Sequence, residues 1–297
     1  MKSSIKLLFS IYLIISMNSC KETAIKSTDF SSEFSFTKGI EGPAVNAEGD
    51  LFAVNFEKEG TIGRVDKNGN GEIYITLPEG SIGNGIRFDT MGNMFVADYM
   101  GHTIYRYKRN MKNPEIWARD STMNQPNDLA ISPDGTLYLS DPNWAESTGQ
   151  LWMVSPDRKM ELIETDMGTT NGVEVSPDGK ILYVNESVQR VIWKYDIGEN
   201  GKLANKQKFL SFEDFGLDGM RCDAKGNLYI TRYDKGTVLI VNPNARMLDE
   251  VSLKGKKPSN IAFGGADGKT CFVTMADRGC FEQFRAPYAG NYYSKIH

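Results

Sequence analysis

Two histidines, His102 and His297, are all that 297 residues provide. That scarcity excludes a zinc centre built on several imidazoles, and a Ser-His-Asp triad, as the organising chemistry. A basic excess is missing as well: 34 Lys and Arg stand against 38 Asp and Glu, a net charge of −4, so nucleic acid is not indicated as a partner. No helix-period segment of useful length follows residue 30. What is present is an ordinary globular composition, 40% hydrophobic and 24% charged, which argues against disorder. The 29 glycines, many beside Asp or Asn, point to tight turns joining many short strands.

Residues 1–20, MKSSIKLLFSIYLIISMNSC, combine a basic start at Lys2 and Lys6 with an apolar run from Leu7 to Ile15. This reads as a secretory signal, too short for a membrane span. It resembles a bacterial lipoprotein signal in which Cys20 is lipidated and becomes the first residue. The alternative is cleavage by ordinary signal peptidase with Cys20 incidental. Lipidation places the protein in the bacterial cell envelope, periplasmic or at the outer membrane, touching the membrane through its anchor only. Residues 21–33 are polar and rich in Ser and Thr, and read as a flexible tether. Cys271 and Cys280 lie close enough in sequence to share a hairpin, but spacing leaves open whether they are bonded or are buried free thiols.

Residues 34–297 are dominated by self-similarity. Six segments begin at Glu41, Asn84, Asn127, Asn171, Asp218 and Asn260, each a short strand, a glycine turn and a second strand with aromatic or β-branched residues. The turn glycines Gly49, Gly92, Gly135, Gly179, Gly226 and Gly268 recur every 42–47 residues. Most units add two more strands, such as 103–109 with 115–119, and 191–197 with 206–212. Four strands per unit of this length predict an all-β, six-bladed β-propeller in a single domain. The last unit offers three strands, and residues 33–37 (EFSFT) are expected to supply its fourth and close the ring.

The residue eight before each turn glycine is an acid or an amide: Glu41, Asn84, Asn127, Asn171, Asp218 and Asn260. The first strand of a propeller blade lines the central channel, so equivalent positions form a ring. Single Asn or Asp residues there would be unremarkable turn caps. Six in phase make an oxygen-rich site with about two negative charges, suited to Ca²⁺, Mg²⁺ or Mn²⁺.

At these residues the chain resembles the SMP-30/gluconolactonase family, also called the regucalcin family. The matching pieces are Glu41-Gly42-Pro43, Gln125-Pro126-Asn127-Asp128, Ser140-Asp141-Pro142, Asn171-Gly172 with its following SPDG, and Asp218-Gly219-Met220. The resemblance covers about residues 38 to 285 and is nearest to bacterial gluconolactonases. It implies a metal-dependent hydrolase that opens a small-molecule lactone, a sugar lactone first, and a monomer. It implies one divalent cation, Ca²⁺ first, with Zn²⁺, Mg²⁺ or Mn²⁺ as alternatives. Glu41, Asn171 and Asp218 become the metal ligands, Asp218 also the catalytic base, and Asn127 a contact to substrate. Asn84, Gln125 and Asp128 complete the expected substrate-binding set, Asp128 either pointing away or supporting the ligands. Some sugar-lactone members carry Arg where this chain has Gln125, which favours a neutral substrate.

Two other readings stay open: a non-enzymatic interaction platform of the NHL type, and an esterase or phosphoesterase with the same ligands and a different rim. Asp66–Gly71 begins like a Ca²⁺ loop, but Leu77 stands where a bidentate Glu is required, so a hairpin turn is expected. Residues 265–270 resemble a phosphate loop, yet Phe263 replaces its first Gly. His102 is expected to face solvent from a turn. Trp117, Trp152 and Trp193 are expected to pack between blades.

Overall fold

The computed structural model describes residues 25–292 and Lys295, so Cys20 and the signal segment lie outside the described residues. The described residues form six four-stranded antiparallel sheets arranged as a six-bladed β-propeller. In blade 1 the strands run Phe36–Val45, Leu51–Phe56, Thr61–Val65 and Gly71–Thr76 from the axis outward. Blades 2 to 5 repeat this order, their inner strands being Gly83–Phe88, Leu129–Ile131, Thr170–Val175 and Met220–Cys222. A one-turn 3-10 segment at Glu199–Gly201 is the one helical element of any extent among the described residues.

Alternating side chains of each sheet pack against the neighbouring blade. Phe52, Val54 and Ile62 of blade 1 share a buried cluster with Ile86, Met94 and Val96 of blade 2. Trp152 is buried in the cluster between blades 2 and 3, and Trp117 packs against its edge. Such burial, at roughly 1.5–3 kcal/mol per large apolar side chain, is repeated around the ring. The Asp66 turn is a plain hairpin, its Oδ1 accepting the amides of Asn68 and Asn70. Cys222, Cys271 and Cys280 are buried free thiols: Cys271 sits opposite Phe284 and Cys280 opposite Met275, so the two never meet.

Ring closure departs from the sequence reading. The sixth blade, built on Pro258–Gly264, Thr270–Met275 and Cys280–Arg285, is completed by Thr28–Asp29 and not by residues 33–37. Phe36 instead opens the inner strand of blade 1, opposite Phe56. The reason is packing. Phe36 makes edge-on contacts with Phe56 and Phe281, a place in the core that an outermost strand cannot offer. Segment 21–33 is therefore ordered sheet in part, with Lys26 already bridged to Ser252.

The seam is held by polar groups. Glu282, fully buried, accepts the Ser27 hydroxyl, the amides of Lys254 (2.8 Å) and Gly255 (2.9 Å), and Arg278 Nη1 (2.6 Å). Arg278 also reaches Asp29 (2.8 Å) and Glu33 (2.6 Å). Arg278→Met should cost about 2 kcal/mol, the scale of a charge-assisted hydrogen bond to a buried carboxylate. Urea unfolding measures this, and an unchanged midpoint would show that the seam bears no load.

Candidate active site

Five of the six ring residues lie at or just before the starts of the inner strands, and Glu41 lies midway along Phe36–Val45, all around one mouth of the central channel. Several sit at breaks in strand register: around Glu41, between Gly83 and Ile86, between Thr170 and Val173, and between Pro258 and Asn260. Such breaks turn a side chain out of the alternation of its strand. Glycine follows four of the six and permits the crowding. A Cβ on Gly42, at φ +61°, would stand 2.1 Å from the Asn84 carbonyl, and one on Gly219 would stand 1.9 Å from the Asn260 side chain.

Neighbours in the ring touch. Asn84 Nδ2 donates to the Asn127 carbonyl (3.2 Å), and Asn260 Nδ2 donates to Glu41 Oε2 (2.9 Å). The Asn171 side chain hydrogen-bonds the Asp218 carboxylate, and Asn185 Nδ2 donates to the Asp218 carbonyl (2.6 Å). Glu41, Asn171 and Asn260 are buried, whereas Asn84, Asn127 and Asp218 are half-buried. Burial, and then the Asp128 charge, hold the Glu41 carboxyl above its usual range. Burial, and then Glu41 itself, push the Asp218 carboxyl well up. The two acids repel each other across the mouth.

Two carboxylates held above their usual range thus share one ring with amide oxygens, a donor set of the kind that hard cations take. Among the described residues no three His, Cys, Asp or Glu are placed to hold a metal ion together, so a cation here would need amide oxygens as its further ligands. Glu41, Asn171 and Asp218 fit a hard divalent ion, whose charge would offset the burial and the neighbouring carboxylates that hold both acids up.

Asp128 points down the channel. Fully buried, it takes Arg87 Nη1 at 2.9 Å and lies 3.6 Å from Arg221 Nη1. It supports the ring from beneath and does not line the mouth. Gln125 is tied by its backbone, its amide donating to Asp141 Oδ1 (2.6 Å), and its side chain is half-buried. Arg87, Glu174 and Arg221 were missed from sequence, although each lies three residues after a ring residue and is buried at 7–9% exposure. Burial, and then Arg87, bring Arg221 down to about 10. His102 is half-buried with its Nδ1 enclosed and lacking a hydrogen-bond partner, so it does not face solvent as expected.

A closed six-bladed ring with an acid–amide cup at one mouth defines a class of channel-site propellers. The family model for the SMP-30/Gluconolactonase/LRE-like region matches residues 35–277, and the chain belongs to that family. It is 30% identical over 218 residues to a gluconolactonase of Zymomonas mobilis, an alignment covering 65% of this chain and 60% of that protein. It is 27% identical over 280 residues to a diisopropyl-fluorophosphatase of Loligo vulgaris, covering 83% and 88%. Its fold matches the calcium-binding regucalcin of Agrobacterium tumefaciens with a TM-score of 0.77 at 18% identity, over 90% and 98% of the two chains. The chain thus has lactonase-named relatives, although its match spans about three-fifths of the first of them.

Proposed function

We propose that the protein is a metal-dependent lactonase that opens a neutral lactone, a sugar lactone first, at the Glu41–Asp218 mouth. The observation that carries this reading is the placing of two acids, buried Glu41 and half-buried Asp218, within one ring of amides, each in contact with an amide of that ring. Glu41, Asn171 and Asp218 would hold one divalent cation, Ca²⁺ first. When bound, such an ion supplies Lewis acidity and charge stabilisation to ester hydrolysis. Asp218, half-buried at the mouth, takes the proton of the attacking water on its carboxylate. Asn127 and Asn84 orient substrate hydroxyls and the carbonyl. The missing Arg at Gln125 favours a substrate without negative charge. Lipidation at Cys20 would hold the domain at the envelope, and Cys20→Ala should then release it and end acyl labelling.

The test is turnover by confirmed metal-free protein on sugar lactones, simple γ- and δ-lactones, aryl esters and phosphoesters. Lactone turnover should vanish with chelation and return with a divalent cation. Full activity without metal overturns the reading. Turnover confined to phosphoesters would favour the reading that the fluorophosphatase relative suggests, with the same cup.

Stability should follow the same pair. Both acids have raised values when folded, so their protonated forms favour folding, and that contribution is lost as pH rises through the raised values. Metal-free protein should therefore lose Tm from this pair as pH rises from the ordinary carboxylate range, about 4, through about 7, where burial and the Asp128 charge hold Glu41. A divalent cation should raise Tm more at the upper end, because binding requires both carboxylates ionised. An equal metal-induced rise in Tm across that window would place the ion elsewhere.

A further inference from the structure

We propose that the opposite end of the channel is a second binding site, for a small uncharged molecule with an apolar body and one hydroxyl or amide group. A cavity of about 320 Å³ opens there, at the low end of the range for small-molecule sites. Its walls come from the far ends of the inner strands and the turns beyond them, among them Val45, Phe88, Ile131, Val175 and Phe263. None of the six mouth residues lines it.

The floor is polar and incompletely bonded. Glu174 Oε1 accepts the Cys222 amide (3.1 Å), while among the described residues Oε2 is paired with Arg87 Nη2 at 3.9 Å, beyond hydrogen-bond reach. Arg221 spends Nη1 on the Met220 carbonyl (2.7 Å) and Asn260 Oδ1 (3.2 Å), but Nη2 gives one bond, to the Pro43 carbonyl (3.3 Å). Among the described residues an acceptor and a donor thus remain, each on a residue more than nine-tenths buried. A hydroxyl or primary amide answers both. The floor charges cancel, Arg87 and Arg221 against Asp128 and Glu174, so a charged head group would enter unpaired. At the rim, Asp89 and Asp134 are engaged by their own turns, and Lys295 is exposed. The one thiol among the described lining residues, Cys222, is pushed toward its protonated form by burial and so is a poor nucleophile.

The C-terminal segment frames the opening. The amides of Gly290 and Asn291 donate to the carbonyls of Gly268 and Cys222 (both 3.0 Å), and the Tyr292 hydroxyl donates to the Asp89 carbonyl (3.0 Å). That strap fixes one wall of the cavity across blades 2, 5 and 6.

The test uses the full mature chain and four probes of one shape: 2-phenylethanol, phenylacetamide, phenethylamine and phenylacetate, followed by saturation-transfer NMR and calorimetry. The two neutral probes should bind at least about tenfold more tightly than the charged ones, a gap of about 1.4 kcal/mol. Ile131→Trp, a half-buried wall residue, should abolish binding without altering turnover at the mouth. Should that variant fail to fold, Glu174→Gln serves instead: it leaves the floor with one net positive charge and should move the preference to phenylacetate. Equal binding of all four probes, or undiminished binding to folded Ile131→Trp, overturns the proposal. So does binding that emerges only after residues 293–297 are removed, since the cavity would then be the seat of the chain's own end.

Discussion

Asp218→Asn should lower lactone turnover by about 10²–10⁴-fold, the usual contribution of a positioned general base. The substitution keeps an oxygen in the ring and its contact with Asn171, but removes the proposed proton acceptor and one of two charges. Glu41→Gln removes a charge of the same kind from a residue to which no proton transfer is assigned. It should weaken metal binding by about 10–100-fold, and excess metal should restore most of its kcat. Asp218→Asn should stay slow at saturating metal. Asn171→Asp, which leaves Asp218 in place, should lose less than Asp218→Asn. Metal titrations at fixed substrate separate these outcomes. If saturating metal rescues Asp218→Asn as fully as Glu41→Gln, the proton acceptor is some other group.

Asp128→Ala should be the most destabilising single change in the channel. It strands Arg87 and Arg221, buried at 9% and 8% exposure, with Glu174 at 3.9 Å from Arg87 and the Glu41 and Glu174 charges acting on Arg221 without an ion-pair contact. Removing one partner of a buried ion pair costs about 3–5 kcal/mol, because the charge left behind keeps its desolvation penalty. Denaturant unfolding reads the loss. Adding Arg87→Met to Asp128→Ala should cost less than the sum of the two changes, since it removes the stranded charge as well. Strict additivity would show that the two groups do not depend on each other.

The architecture was legible because its punctuation is regular. A turn glycine every 42–47 residues marks each blade, and an acid or amide eight residues earlier marks each inner strand. The closing strand was not legible, because Thr28–Asp29 is two polar residues with no alternation to read. Residues 33–37 look more like a strand, yet their Phe36 is claimed by aromatic packing that no local pattern records. The charged floor was readable in principle. Arg87, Glu174 and Arg221 share one phase with the ring, and charge inside an inner strand is itself a signal. The surroundings of His102 depend on how a turn folds back, which sequence periodicity does not encode.

The seam also sets an order of events. Ser27 and Glu282 bond across 255 residues, so the segment around Ser27 is synthesised long before its partner. At ~5–20 residues per second, the blade-6 edge it must cover does not exist for on the order of 10–50 s. Contacts of such sequence separation carry a heavy loop-closure cost and form late. Interactions absent from the folding transition state govern the rate of unfolding and leave the rate of refolding nearly untouched. Arg278 therefore acts as a brake on opening: its loss should speed unfolding, and with it the proteolysis that follows unfolding, while the ring refolds at its usual pace.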